Sequence, residues 1–249
     1  GDTTMKKVAI ITGASGGIGS GICQEFMRQG WDVIGTDITQ STLDLFHFEF
    51  SDFSESNAVE VLFEKLKDFP RIDAVINNAA ICINKPISET TDKDWEDTFN
   101  INVKSAFKMT RLFRDLLQKS KGSIVNISSV HSVSTSRNIS AYAASKGALT
   151  SLTRAIALEY AHLQIRCNAV LPGAIDTSML RNGLNRGGLG QTTNESFQKL
   201  QSSIPLGFIG SAEHIAPTVV HLADAKYSPY TTGQVITVDG GALAQLSTE

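Results

Sequence analysis

The chain has 249 residues, 41% hydrophobic and 19% charged, with a formal net charge of −3. That length suits one large α/β domain with an ample core, and the slight acidity gives no electrostatic reason to expect nucleic acid or an anionic membrane as partner. No apolar run approaches the ~18 residues needed to span a bilayer, and no secretory signal is read at the start. Residues 1–4, ahead of Met5, read as a cloning remnant. Cys23, Cys82 and Cys167 are scattered, at no metal or redox spacing, so core thiols in a reducing, cytoplasmic setting are expected.

Val8 to Thr12 is a short β-branched run suited to a strand buried on both faces. It enters Thr12-Gly13-Ala14-Ser15-Gly16-Gly17-Ile18-Gly19, followed by a helical stretch to Gln29 and a stop at Gly30. Strand, glycine turn and helix in that order suit a pyrophosphate held by backbone amides at a helix N-terminus; the plainer reading is a simple connecting turn. Asp32 to Asp37 forms the second strand, and Asp37 sits where an acid can accept hydrogen bonds from an adenosine ribose. A carboxylate there repels a 2′-phosphate, and Thr39 stands where an Arg would compensate, so NAD is preferred over NADP. A solvated acid at a strand end is the alternative.

Thr39 to Leu43 is too short for a crossover helix, and Leu45 to Phe50 reads as a third strand at the sheet edge, ended by Asp52-Phe53. Ser54 is placed as the cap of a helix running to Phe69 and stopped by Pro70. Ile72 to Asn77 is the fourth strand, ending in Asn77-Asn78-Ala79-Ala80. Thr91 starts a long helix with apolar spacing at Trp95, Phe99, Val103, Ala106 and Phe107. Asn102 lies inside it, either exposed or competing for backbone groups. Gly122 to Ser129 is the fifth strand, with Ser129 at the carboxyl end, where ligands gather in open parallel sheets. Ser128 is adjacent and its facing is open; His131 lines a pocket or serves structure.

Tyr142 and Lys146 share one face of the helix Ala141–Tyr160, being four residues apart. An ammonium about 4 Å from the phenol, at an effective dielectric of ~20, favours the phenolate by roughly 4 kcal/mol, about 3 pKa units. Such a phenol works as an acid/base near neutrality; a surface Tyr and Lys with no such role is the alternative. Gln164 to Leu171 is the sixth strand, Ala174 to Leu206 is polar and glycine-bearing, and its part 177–205 reads as a substrate lid. Ser211 caps a helix through Leu222, and Gly233 to Asp239 is the last strand. The alternation predicts one doubly wound parallel sheet of about seven strands in a single domain over residues 5–249.

In these motifs, taken in order, the chain resembles the short-chain dehydrogenase/reductase family over nearly its full length: Thr12 to Gly19, Asp37, Asn77 to Ala79, Asn102, Ser129, Tyr142 to Lys146, Asn168, Pro172-Gly173 and Val238 to Gly241. The resemblance implies a Rossmann fold and an NAD(H)-dependent oxidoreductase interconverting a secondary alcohol and a ketone. It implies that Tyr142 exchanges a proton with the substrate oxygen and that Lys146 holds the nicotinamide ribose and lowers the tyrosine pKa. Ser129 would orient the substrate oxygen, and Asn102 would support a water-linked relay to Lys146. Cofactor contacts carry over to Gly13, Ser15, Gly17, Ile18, Gly19, Asp37, Ile38, Asp52, Phe53, Asn78, Ala79, Tyr142, Lys146, Pro172, Gly173, Ile175 and Thr177; no metal is implied. Homotetramers or homodimers are implied, through the helices holding Asn102 and Tyr142. Two departures stand out: Ala80 replaces the usual glycine, and the helix between the second and third strands is missing. A non-catalytic dinucleotide sensor would lack Tyr142 or Lys146, and a nucleotide-sugar epimerase or dehydratase would need a larger C-terminal domain. The polar segment from Thr177 to Pro205 favours a polar, polyhydroxylated substrate.

Overall fold

The computed structural model describes residues 5–185, 193–246 and 248, and its strands all run parallel in one sheet. They are β1 (Val8–Thr12), β2 (Asp32–Asp37), β3 (His47–Phe50), β4 (Ala74–Asn77), β5 (Ser123–Ile127), β6 (Arg166–Pro172) and β7 (Val235–Val238), arranged β3-β2-β1-β4-β5-β6-β7. All seven expected strands are present. The helices among the described residues are α1 (Gly17–Arg28), α2 (Ala58–Leu66), α3 (Asp92–Phe99), α4 (Ser105–Leu112), α5 (Arg114–Ser120), α6 (Ser140–Tyr160), α7 (Ser178–Leu184), α8 (Thr193–Ser202) and α9 (Ala212–Ala223).

Two apolar layers explain why the central strands carry unbroken runs of Val, Ile and Ala. On one face, Ile22 and Phe26 of α1 and Val219 and Val220 of α9 pack against Ile11, Val33, Val125 and Val170. On the other, Leu62 and Leu66 of α2, Met109 of α4, Phe113, Leu117 of α5 and Ile156 of α6 cover Ile10, Ile34, Val75 and Cys167. With both faces covered, the central strands do not alternate apolar with polar, whereas the edge strand β3, His-Phe-Glu-Phe and only partly buried, does. The chain winds out to β3, returns to β4 beside β1 and then winds the other way, leaving a switch point between β1 and β4. Open sheets bind ligands outside the carboxyl ends at such a point.

Several local expectations change. Ser54 caps no helix: its N–H (3.0 Å) and hydroxyl (2.7 Å) both donate to Asp52 Oδ1, and α2 begins only after Asn57. Thr91 does cap its helix, in a reciprocal box with Asp94. That long helix is broken into α3, a π-helical turn at Asn100–Lys104, α4 and α5. As read, no helix lies between β2 and β3. The polar segment after β6 is less irregular than expected, since it forms α7 and α8, neither of which buries a residue. Arg181 joins them, paired with Asp176 (2.7 and 2.8 Å) and lying 5.0 Å over the Phe197 ring. Residues 1–4, read as a remnant, and Gly187, Gly188 and Gly190 lie outside the described residues. No helix among the described residues is long and apolar enough to cross a membrane.

Candidate active site

At the switch point two loops are stitched together by a single hydroxyl. Thr12 Oγ1, at the end of β1, accepts the N–H groups of Asn78 and Ala79, each at 3.0 Å, and Asn78 Nδ2 donates to the Gly13 carbonyl at 3.2 Å. The approach is so close that a Cβ on Gly19 would lie 1.9 Å from Gly13 O, and Gly13 itself adopts φ +62°. Only glycine tolerates both conditions. Helix α1 starts here with no side-chain cap and no acidic residue in its first turn. Its first N–H groups and the positive end of its dipole therefore face an uncompeted position for an anion. Asp37 closes β2 nearby: its Oδ2 accepts Ser15 N–H at 2.9 Å and its Oδ1 accepts Ile38 N–H at 2.7 Å. The carboxylate is thus fixed at the rim. A cleft of about 350 Å³ follows the carboxyl ends of β1, β2, β4 and β5. Its donors and its acid suit the pyrophosphate and adenosine ribose of a dinucleotide.

The other end of the cleft belongs to α6. Tyr142 and Lys146 are both buried on its inner face, and Lys146 Nζ donates to the Ile127 carbonyl at 2.8 Å. The same Nζ lies 5.6 Å from the Tyr142 ring centroid. Burial pushes the Tyr142 phenol up to about 12, against the pull of its hydrogen bond with Ser129. Burial also brings Lys146 down to about 8. The expected lowering of the tyrosine pKa by Lys146 is therefore not produced by the protein's own groups. The ammonium is bonded to a carbonyl beside the ring, and desolvation penalises phenolate and ammonium alike.

Helix α6 is held to the sheet by polar groups that the sequence left open. Ser128 Oγ donates to the Lys146 carbonyl at 2.9 Å and shares a 2.8 Å bond with Thr150 Oγ1. Asn126 Nδ2 reaches Thr153 Oγ1 at 3.0 Å. Asn102 sits in the π-helical turn, where its Oδ1 accepts Ile81 N–H at 2.8 Å. Its Nδ2 donates to Ile81 O at 2.9 Å and to Ser145 Oγ at 3.0 Å, and Ser145 in turn donates to the Tyr142 carbonyl at 2.7 Å. Both amide hydrogens are in use, so the side chain braces the β4 loop against α6.

Of the residues singled out in the sequence, Gly13, Gly17, Ile18, Gly19, Asp37, Ile38, Phe53, Asn78, Ala79, Tyr142, Lys146 and Thr177 line the cleft. Ser129 meets it through its hydrogen bond with Tyr142. The others are not among the lining residues. Ser15 holds Asp37 with its N–H and donates its hydroxyl to Thr39 O at 2.6 Å. Asp52 is exposed and turned into the Ser54 turn rather than toward the cleft. Pro172 ends β6, Gly173 N–H donates to Val238 O at 2.9 Å, and Ile175 is buried in a bridge with Gly210. Ala80 lines the cleft where glycine was expected. Sequence reading missed Thr36, Ser51, Ile101, Ile127, Ser178 and Met179, which also line it. Thr36 and Ser51 flank residues already chosen, so neighbourhood along the chain was the available signal.

Similarities to known proteins agree with this geometry. A family model described as "Enoyl-(Acyl carrier protein) reductase" matches residues 13–242. The 3-oxoacyl-[acyl-carrier-protein] reductase FabG of Thermotoga maritima is 33% identical over 250 residues, covering 95% of this chain and 98% of the relative. The crystal structure of a short chain dehydrogenase family protein from Francisella tularensis superposes with a TM-score of 0.90 at 29% identity, covering 96% of this chain and 100% of that one. A structure of a putative NAD(P) dependent gluconate 5-dehydrogenase from Beutenbergia cavernae, with NADP bound at low occupancy, gives 0.87 at 29% identity, covering 98% of this chain and 100% of the other.

Proposed function

Because the chain belongs to the short-chain dehydrogenase/reductase family, we propose that it is an NAD(H)-preferring enzyme that interconverts a secondary alcohol and a ketone, with Tyr142 as general acid/base. Membership makes it an NAD(P)-dependent oxidoreductase acting on CH–OH groups of small molecules. The observation that carries the finer reading is the buried pair of Tyr142 and Lys146, one helical turn apart, with Ser129 hydrogen-bonded to the phenol at the cleft. Two functional groups in place of one speak against a non-catalytic sensor.

The bound nicotinamide ring supplies the hydride acceptor in oxidation and the donor in reduction. The chain's residues handle the rest. Ser129 and Tyr142 hydroxyls bracket the substrate oxygen; Tyr142 removes its proton as the carbinol C–H bond breaks, or returns one as the carbonyl is reduced. Lys146, with one hydrogen on Ile127 O, has its others for ribose hydroxyls, and its charge stabilises the phenolate as it forms. Asn102 acts as a positioning residue through Ile81 and Ser145. The first turn of α1 takes the pyrophosphate. Asp37 takes the adenosine ribose, Phe53 and Ile38 wall the adenine, and Asn78 and Ala79 border the adjoining ribose. Pro172, Gly173 and Ile175 shape the nicotinamide end from behind Thr177. Helix α7 brings Ser178 and Met179 to the cleft, and α7 with α8 serves as a lid over the substrate side.

NAD is preferred because Asp37 is fixed at the cleft while Lys146, at the far end, is the one basic residue among the described residues lining it. A 2′-phosphate would meet a carboxylate with no cation in reach, although one relative's structure holds NADP. Asp37→Ala is expected to narrow the ratio of NAD to NADP affinity; wild type binding NADP more tightly contradicts the preference. For the chemistry, Tyr142→Phe keeps dinucleotide binding while turnover falls at least ~100-fold. Unaltered turnover rejects the role. The Thermotoga relative favours a second reading, reduction of a 3-oxoacyl thioester, which an acetoacetyl thioester probe with NADH separates from alcohol oxidation. A homo-oligomer in the cytoplasm completes the reading, supported by apolar side chains exposed on α3, α4 and α6 and by scattered thiols.

A further inference from the structure

His131 stands two residues beyond Ser129 in a 3-10 turn, and its backbone is pinned to that serine: His131 N–H donates to Ser129 Oγ at 3.1 Å, and Ser132 Oγ donates to Ser129 O at 2.7 Å. The imidazole packs edge-to-face on Tyr142, with centroids 5.9 Å apart and planes at 71°. It is therefore a neighbour of both groups that bracket the reacting oxygen. Its Nδ1 lies 3.0 Å from Thr135 Oγ1, which leaves Nε2 as the second polar atom of the ring. Burial lowers the imidazole pKa, so the ring is neutral at pH 7.

We propose, resting on the alcohol dehydrogenase reading above, that His131 is a specificity-determining residue whose Nε2 hydrogen-bonds a hydroxyl on the carbon adjacent to the reacting carbinol, so that vicinal hydroxyl compounds are the substrate class. A hydroxyl suits this ring better than a carbonyl or a carboxylate does. The Thr135 hydroxyl can donate to Nδ1 or accept from it, so Nε2 is either donor or acceptor, and only a hydroxyl answers both. A purely aromatic role would need no nitrogen at this edge.

The test uses the full-length enzyme with NAD and matched probes: trans- and cis-1,2-cyclohexanediol against cyclohexanol, and 2,3-butanediol against 2-butanol. Wild type should show higher kcat/KM for the diols. In His131→Phe, which keeps the edge-to-face ring and removes the nitrogen, the diol-to-monool ratio of kcat/KM should fall about tenfold, the worth of one neutral hydrogen bond. The loss should appear mainly in KM. His131→Gln, which restores a polar atom near the Nε2 position, should recover much of the ratio. An unchanged ratio in His131→Phe, equal losses on both probe classes, or a wild type that does not oxidise the diols would each overturn the inference. The underlying reading fails separately, by Tyr142→Phe turning over any active probe as fast as wild type.

Discussion

A phenol and an amine buried against each other feel two opposing pressures, mutual attraction once both are charged and the loss of water around either charge. In this protein the second is the larger, since Tyr142 rises to about 12 and Lys146 falls to about 8, each through burial. The signs make distinct predictions. Oxidation needs the phenol to lose its proton, and well below 12 the ionised fraction grows about tenfold per pH unit, so turnover with saturating NAD should climb by up to about 100-fold between pH 7 and 9 while reduction, which needs the proton kept, stays level. A flat oxidation profile measured by NADH formation would show that the proton is already gone at neutrality. Stability follows a second sign. Lys146 in the folded chain releases its proton near 8, and in the unfolded chain only near 10.5. Between those values the unfolded chain binds the extra proton, so stability rises with pH across that window. Below it the buried ammonium costs about 3 kcal/mol, and the orphaned Ile127 carbonyl in Lys146→Met offsets roughly 2 of that. Lys146→Met should therefore melt about 2–4 °C higher at pH 7, with the margin shrinking from pH 8 upward; calorimetry at both ends of the window decides it. Activity and stability oppose each other at this residue.

Elements place these side chains, and glycines decide whether the elements can meet. At Gly19 an added methyl collides with Gly13 O at 1.9 Å and Asn78 Nδ2 at 2.7 Å, so the turn must open and lose its register with the β4 loop. At Gly147, inside α6, a methyl meets nothing within 4 Å. Gly147→Ala should then stabilise the chain by roughly 0.5–1 kcal/mol through helix propensity. Gly19→Ala should abolish dinucleotide binding, read by calorimetric titration; a variant that binds normally would mean the turn is not the cradle. The same contrast explains what was legible in the sequence. The strands from Val8, Asp32, Ala74 and Ser123 announce themselves because an apolar run buried on both faces is a local pattern. So do the glycine turn and the Tyr142–Lys146 face. Ser54 was misread as a helix cap because its partner is Asp52, which no spacing reveals. The brace made by Asn102 was invisible because the π-helical turn that aims it toward Ile81 and Ser145 depends on neighbours far along the chain. Helices α7 and α8 were read as irregular because neither buries a residue, so neither carries an apolar stripe.

On the scale of the whole molecule, the helices that hold the site expose large apolar side chains on their outer faces. Trp95 and Phe107 are 44% exposed and Leu158 80% exposed, on α3, α4 and α6. A shallow depression between these helices is lined by Phe99, Val103, Phe107, Ala148 and Leu152, with Asn100 and Lys104 beside them. Exposed apolar side chains gathered on neighbouring helices are the kind of surface a second copy would cover, and the two helical units carrying them are those whose inner faces hold Asn102 and the Tyr142–Lys146 pair. Packing a second copy there would bury the aromatic side chains and hold α6 against the π-helical turn from outside, as Ser128 and Asn102 hold it from within. A closed symmetric assembly needs such a patch to be self-complementary, with about 800 Å² buried per partner. Phe107→Glu places a charge at the centre of that patch without touching the cleft. Light scattering should show wild type as a homo-oligomer and Phe107→Glu as a species of lower mass. Its turnover per chain should fall by less than that of Tyr142→Phe, because the catalytic groups remain and only their outer support is lost. A monomeric wild type, or a variant of unchanged mass, would refute the interface and leave the chemistry of the cleft standing.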